Sequence, residues 1–538
     1  MKHKFSFDKN NYPDPLSILI LLSGVFSAIL ASPKWSMSIF AWIAPACFLY
    51  YVRVEPVKRK FLWALFAFFI MHVASSYEVA PFPIPVLVIM ALIESLKTLV
   101  LYGVDKWISS KYRGFAATLF FPATAVTLEY MNSLIGGGVW WSIANSQFGF
   151  PWLIQLSSIT GVWGISFLIY WFASVLIWSI QNRSQRSSIK KGVLVYGSIL
   201  FATLVFGAVR YNMNSLKGNQ SVKIAGISVP LFDFLENLYR DYSGKSITIE
   251  PKTSISSGVL QEVNRAQIPF IESADTLKFK NGYRSMLQLN DSLFSLSKQA
   301  ANRGAKIILW SEANAFAFRF NEKALISKGK DFAFQNKVYL MMAMAIIDTG
   351  RIYFGKKFIE NKTVFIGPDG EILNVFHKNN PVPMVENSKP GDGKIPVIQT
   401  AFGRISPSIC YDADFPTQMR QIGKNKTDIL LLPSGDWYSI SPFHTRMAIF
   451  RGIENGTAVV RQASGGLSVA SDYRGRVSAS LDFYKEGTKL WFADVEVGHV
   501  ATLYSKIGNL VACMCIVFTI SILGLNSFSW IRRKFVRD

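Results

Sequence analysis

The chain has 538 residues, 50% of them hydrophobic and 14% aromatic, with a formal net charge of +22. At this length so apolar a composition excludes a single water-soluble globule and requires membrane-embedded parts beside a water-facing part. The lysines and arginines cluster in short loops between apolar segments, where they encode membrane orientation, so the basic balance does not imply a nucleic-acid partner.

A helix needs ~20 mostly apolar residues to cross a bilayer. Candidates lie near 16–32, 35–52, 60–79, 84–104, 114–131, 163–181 and 192–209, with one more near 507–526. The expected fold is a polytopic α-helical membrane bundle of about eight helices, interrupted by a large α/β domain. Its parts are an N-terminal membrane domain of seven helices (1–209), a polar domain (210–506), and a last helix with a basic tail (507–538). The first apolar segment has the basic flank of a signal peptide, but six further spans follow and Ser32-Pro33-Lys34 is a poor cleavage site, so it reads as a retained helix.

Basic residues recur in every second loop: Lys2, Lys4 and Lys9; Arg53, Lys58, Arg59 and Lys60; Lys106, Lys111 and Arg113; Arg183, Arg186, Lys190 and Lys191; Arg532, Arg533, Lys534 and Arg537. The alternate loops carry only Lys34, and 80–83 and 132–162 carry none. Both termini are therefore expected in the cytoplasm and 210–506 on the far side. Glu94 and Lys97, one turn apart in the fourth apolar segment, are expected to pair with each other or face the bundle interior. The glycine- and tryptophan-rich stretch 136–152 suits an interfacial or re-entrant segment, with Trp140, Trp141 and Trp152 at headgroup depth.

Between 210 and 506 short apolar runs alternate with amphipathic helices, the pattern of a layered α/β domain. Strands are expected near 222–228, 305–311, 338–347, 351–366, 404–409, 428–433, 457–463 and 466–472, and helices at 283–303, 414–423 and 442–455. The stretch 230–282 matches neither period and reads as a surface excursion. Three chemical groups fall where strands end: Glu312 after Lys306-Ile-Ile-Leu-Trp-Ser, Lys378 after Ile372-Leu-Asn-Val-Phe-His, and Cys410 after Ser406-Pro-Ser-Ile. Cys410 is the only cysteine between Arg210 and Ser505, so on the oxidising side of a membrane it has no disulfide partner there. Carboxylate, ammonium and thiol form a workable set for acyl transfer: base, oxyanion stabiliser and nucleophile. The histidines His3, His72, His377, His444 and His499 have no ligand spacing, so no metal or other cofactor is expected. His377 reads as part of a strand end and His444 as an ordinary helix start.

Leu309-Trp-Ser-Glu312, His377-Lys378 and Ile409-Cys-Tyr-Asp-Ala-Asp-Phe-Pro416 resemble the three active-site strands of the nitrilase, or carbon–nitrogen hydrolase, superfamily. That resemblance implies an αββα sandwich with a Glu312-Lys378-Cys410 triad. The helices around it, Trp163-Gly-Ile-Ser-Phe, Glu386 eight residues after Lys378, the loop Pro433-Ser-Gly-Asp-Trp-Tyr438 and Arg451-Gly-Ile-Glu-Asn-Gly-Thr-Ala-Val-Val-Arg461 make the whole chain similar to the apolipoprotein N-acyltransferase family. It implies a phospholipid acyl donor, a Cys410 thioester and transfer to the N-terminal amine of a diacylated lipoprotein, by a monomer in a bacterial inner membrane with its catalytic domain in the periplasm. By the same resemblance Glu386 holds Lys378, the backbone of Tyr411 helps bind the oxyanion, Asp412 supports the cysteine turn, and Trp437 and Tyr438 lie over the acyl chain. The chain departs from the family pattern at Ser311 and Asp412, in the first outer strand, and in the short polar stretch Glu386-Asn-Ser-Lys-Pro-Gly-Asp-Gly-Lys-Ile. These departures leave other acceptors open, and with them a membrane-anchored amidase or nitrilase.

Overall fold

A computed structural model describes residues 14–55, 59–213, 220–254, 257–485 and 489–535. The chain forms two compact units, 1–212 with 507–538 and 213–506. Among the basic residues that set the expected orientation, Lys2, Lys4, Lys9, Lys58 and Arg537 lie outside the described residues, as does His3.

In the first unit every predicted apolar segment is helical. The helices are α1 (Pro15–Ala31), α2 (Phe40–Arg53), α3 (Lys60–Ser76), α4 (Ile84–Ser109), α5 (Phe120–Asn132), the short α6 (Pro151–Ile154) and α7 (Ser157–Thr160), α8 (Val162–Gln181) and α9 (Arg186–Asn212), with a C-terminal helix Leu510–Phe535. Among the described residues four of these, α4, α8, α9 and the C-terminal helix, are long and apolar enough to cross a membrane. That is fewer than the eight expected, because α1 and α3 reach 17 residues, α2 14 and α5 13. The C-terminal helix continues to Phe535 and so takes in Arg532, Arg533 and Lys534, which were expected beyond it.

Several polar groups inside this unit are paired, as a low-dielectric interior favours. Arg53 donates twice to Asp105 at 2.6 Å, and Lys97 donates to Glu94 at 2.7 Å. Glu129 accepts from Ser142, Ser166, Tyr170 and the backbone N–H of Ile143 at 2.7–3.1 Å, which ties the glycine-rich segment to α5 and α8. That segment is built of short turns rather than a long helix, with Trp141 and Trp152 about half exposed. A Cβ on Gly207 of α9 would lie 1.7 Å from the Trp152 carbonyl oxygen, so only glycine lets α9 approach α6.

The second unit is two sheets between two helical layers. The first sheet has the order β13-β1-β2-β4-β5-β6, with β3 beside β4: β1 (Ser221–Ile227), β2 (Ile307–Trp310), β3 (Ala315–Phe318), β4 (Tyr339–Ile347), β5 (Ile359–Ile366), β6 (Ile372–His377) and β13 (Leu490–Glu496). The second runs β12-β11-β10-β9-β8-β7: β7 (Ile398–Thr400), β8 (Gly403–Pro407), β9 (Ile429–Gly435), β10 (Ala458–Ser464), β11 (Leu467–Ser471) and β12 (Val477–Asp482). The period-2 alternation of a strand builds the layers. Ile307 and Leu309 of β2 meet Ile429 and Leu431 of β9 in the core between the sheets. Ile308 and Trp310 face the helices α12 (Lys280–Asn302) and α13 (Arg319–Asn336), while Leu430 and Leu432 face α14 (Pro416–Lys424) and α15 (Phe443–Asn455). Strands buried on both faces read as continuous apolar runs, and these were found in the sequence.

Two expectations are corrected here. The strand expected over 351–366 begins at Ile359, because Thr349–Phe354 forms a 3₁₀ turn. The expected excursion 230–282 holds two helices, α10 (Phe232–Ser243) and α11 (Gly258–Ser273), whose Phe234, Leu238 and Phe270 form a core cluster with Phe279 and Phe318. Phe270 is 1% exposed and packs edge-on against Phe279 and Phe318, whereas Ile268 on the same helix is 54% exposed. Phe270→Ala is therefore expected to destabilise this unit by about 3–5 kcal/mol and lower the melting temperature of the purified full chain. Ile268→Ala is expected to stay within about 0.5 kcal/mol, and equal effects of the two would contradict the layer.

Candidate active site

Glu312, Lys378 and Cys410 come from three separate chain segments and share one buried site. Glu312 follows β2; Lys378 follows β6; Cys410 opens the 3₁₀ turn Cys410–Asp414 after β8. Lys378 is fully buried and donates to Glu312 Oε1 at 2.7 Å and to Glu386. Asn361 of β5 donates to Glu312 Oε1 at 2.8 Å, and the Gly435 N–H at the end of β9 donates to Oε2 at 2.9 Å. The carbonyl of that same Gly435 accepts from Cys410 Sγ at 3.4 Å. One residue, through its two flanking peptide groups, thus touches both the carboxylate and the thiol.

Cys410 has φ +46°, a left-handed conformation that costs a non-glycine residue about 1–3 kcal/mol and recurs at functional sites. Asp412 holds the turn in this shape. Its carboxylate accepts from the backbone of Ile409 at 3.1 Å and, just beyond Lys378, from the backbone N–H groups of Asn379 at 3.3 Å and Asn380 at 2.7 Å. Asp412 therefore couples the cysteine segment to the lysine segment. Burial raises its pKa to about 6. Tyr411 lies in the same turn with its ring against Phe415.

Burial pushes the Cys410 thiol well above its ordinary range, and the neighbouring Glu312 adds to the shift against the opposing Lys378 and Arg461. Burial works to lower the Lys378 pKa, but Glu312, Glu386 and Cys410 reverse that and hold it well above its usual value. The resting site is thus a neutral thiol beside a permanent ammonium, and a general base must generate the thiolate.

The segment after Lys378 also departs from expectation. Glu386 onward is short and polar, but Pro381-Val-Pro-Met-Val385 precedes it, with Met384 72% exposed at φ +63°. Met384, Val385 and Glu386 line a cavity of about 620 Å³ together with Ile352, Phe358, Lys356 and Lys357. Trp437 and Tyr438 follow β9, Tyr438 exposed and edge-on to Tyr484.

His444 is not an ordinary helix start. It is buried at the head of α15 with Nδ1 2.8 Å from Asp436 and Nε2 3.2 Å from Asp414. Arg461 donates to both oxygens of Asp436 at 2.8–2.9 Å. Donor atoms of Cys410, Asp436 and His444 lie within 4.8 Å of one another, a spacing that a metal could use. The imidazole already spans two carboxylates, however, and Arg461 supplies positive charge to Asp436, so the cluster is arranged as a charge network. Asn361, Gly435, Asp436, His444 and Arg461 acquire their roles only from the three-dimensional arrangement.

Two family models match the chain: carbon–nitrogen hydrolase over residues 288–503, and the apolipoprotein N-acyltransferase N-terminal domain over residues 23–175. The chain is 24% identical to the apolipoprotein N-acyltransferase of Geobacter metallireducens, across 93% of each chain. It is 25% identical to apolipoprotein N-acyltransferase 1 of Treponema denticola, across 100% of this chain and 99% of that one. The chain is similar to apolipoprotein N-acyltransferases along nearly its whole length. Among solved structures, an amidase from Nesterenkonia sp. matches 52% of this chain and 92% of its own at 16% identity and TM-score 0.36. The chain thus joins a nitrilase-type α/β domain to membrane helices.

Two outcomes follow from the site. Glu312→Gln removes the base while keeping its shape, and is expected to slow acylation of Cys410 by about 10²–10⁴-fold in a single-turnover assay. The second concerns His444. Burial works against its charge, but Asp414 and Asp436 raise its pKa from 6.5 to about 9. A folded-state pKa above the unfolded one gives stability that is complete below pH 6.5 and lost as pH rises through about 9. The melting temperature of the wild type should fall over that window, and His444→Gln should show a smaller fall.

Proposed function

We propose that this protein moves a fatty acyl group from a phospholipid to the N-terminal amine of a diacylated lipoprotein, through a thioester on Cys410. The observation that carries this reading is Gly435, whose N–H donates to one oxygen of Glu312 and whose carbonyl accepts from Cys410, while the buried Lys378 donates to the other oxygen of Glu312. The near full-length match to N-acyltransferases, membrane helices included, disfavours the amide-hydrolysing alternative.

In the first half-reaction Glu312 takes the thiol proton and the sulfur attacks the acyl carbonyl. Lys378, with the backbone N–H of Tyr411, bears the oxyanion charge. The carbon–oxygen ester bond breaks as Glu312 returns the proton to the lysophospholipid alcohol. In the second, the neutral amine attacks the thioester, Glu312 accepts its proton, and the carbon–sulfur bond breaks to give the amide and the thiol. Glu386 holds Lys378. The apolar turn Val382–Val385 and its cavity, with Trp437 and Tyr438, line the acyl path. No cofactor takes part.

The protein acts as a monomer that crosses a bacterial inner membrane eight times, both termini cytoplasmic and residues 210–506 periplasmic. The alternation of basic and bare loops supports this orientation. The shorter helices suit thin spans: α1 and α3 reach 17 residues, and the 3₁₀ turn Phe115–Leu119 lengthens α5.

Intact-mass spectrometry of the protein from its own membranes tests the reading. The expected result is a hydroxylamine-sensitive increase of one long acyl chain, absent in Cys410→Ala. A short acyl adduct, or none after incubation with phospholipid, would overturn it.

A further inference from the structure

We infer that His444 is a positioning residue for acyl transfer, a buried bridge that ties the turn carrying Cys410 to the loop carrying Gly435 and so sets the sulfur against its base. The inference rests on the reading of Cys410 as the nucleophile and Glu312 as the base.

The connection can be followed atom by atom. Gly435 contacts both reacting groups, so its position sets their separation. The next residue, Asp436, is fixed from every side: its N–H donates to the Ser464 carbonyl at 2.8 Å, and Arg461 grips both carboxylate oxygens. A Cβ on Gly466 would lie 2.4 Å from Asp436 Oδ2, so the strand turn beside it closes down on the carboxylate. Asp414, at the far end of the Cys410–Asp414 turn, is fully buried. Its Oδ1 meets His444, and its Oδ2 has no hydrogen-bond partner among the described residues. The imidazole between Asp436 and Asp414 is thus the link from one side of the site to the other. It is also what compensates the buried Asp414 charge, and removing one member of such a pair leaves the other uncompensated.

The experiment uses the purified full-length protein as His444→Gln and as Asp414→Asn, which breaks the link on the turn side but keeps the Arg461–Asp436 pair. Single-turnover acylation of Cys410 by phospholipid vesicles is followed by mass, and the rate of Cys410 alkylation by iodoacetamide is measured in parallel. Both rates are expressed per folded molecule. The expected result in each variant is a maximal acylation rate about 100-fold lower, with the half-saturating phospholipid concentration within about twofold of wild type. Alkylation should slow by about tenfold, because thiolate formation depends on the same base. A wild-type maximal rate in either folded variant, or a loss confined to half-saturation, would overturn the inference. Should His444→Gln fail to fold, Asp414→Asn decides. If the wild type itself forms no acyl adduct, the transferase reading fails, and the alkylation rates still decide whether His444 positions the thiol.

Discussion

Lys378 carries a positive charge into a fully buried place, and the rest of the catalytic unit is arranged around that fact. An isolated buried ammonium would lose its proton, since desolvation costs several kcal/mol per ion. Here two carboxylates hold it charged, Glu312 after β2 and Glu386 after the apolar turn. Burial keeps the nearby thiol protonated at rest, and Glu312 adds to that effect. The remaining donors around Glu312, from Asn361 and Gly435, are neutral, so they steady the carboxylate without cancelling its charge. Reactivity is thereby withheld until a substrate carbonyl gives the displaced charge somewhere to go.

The two-sheet scaffold makes such a cluster affordable. Glu312 and Cys410 follow strands whose last residues are buried on both faces, so those backbones have little freedom to shift, while Lys378 follows the largely exposed β6 and is itself fully buried. The polar groups then begin where the apolar alternation stops. Cys410 in a left-handed turn is the strained point, and it is held by the three backbone donors that converge on Asp412. Asp412 and His444 act on opposite ends of the same five-residue turn: the first anchors it to the lysine segment, the second to the loop after β9.

Legibility in the sequence followed the physics of each element. Strands such as β4 and β9 are continuous apolar runs and were plain, as were the three groups at strand ends. The helices α10 and α11 were missed because Pro269 interrupts the latter and because their apolar face is carried by a few aromatics amid many polar residues. Membrane helices were found by hydropathy, but hydropathy does not register where a helix stops, and α2 and α5 stop early. Arg461 and His444 lie 17 residues apart in the chain and 3.1 Å apart in space. No local pattern encodes such a pairing, so the charge network beside Cys410 stayed hidden until the strands were laid side by side.

The protonation of Lys378 also constrains the order of the chemistry. With its pKa held far above neutrality, the ammonium can bind an oxyanion but cannot exchange protons in turnover. His444 is committed to two carboxylates and lies across the network from Glu312. In the proposed reading Glu312 carries the proton in both half-reactions. A single carboxylate cannot hold the proton destined for the departing alcohol and also receive one from an incoming amine. The first product must take its proton and leave before the acceptor can be deprotonated. In the proposed reading one proton carrier is compatible with a ping-pong sequence through a Cys410 thioester, and the 4% exposure of Cys410 would shield that thioester from water.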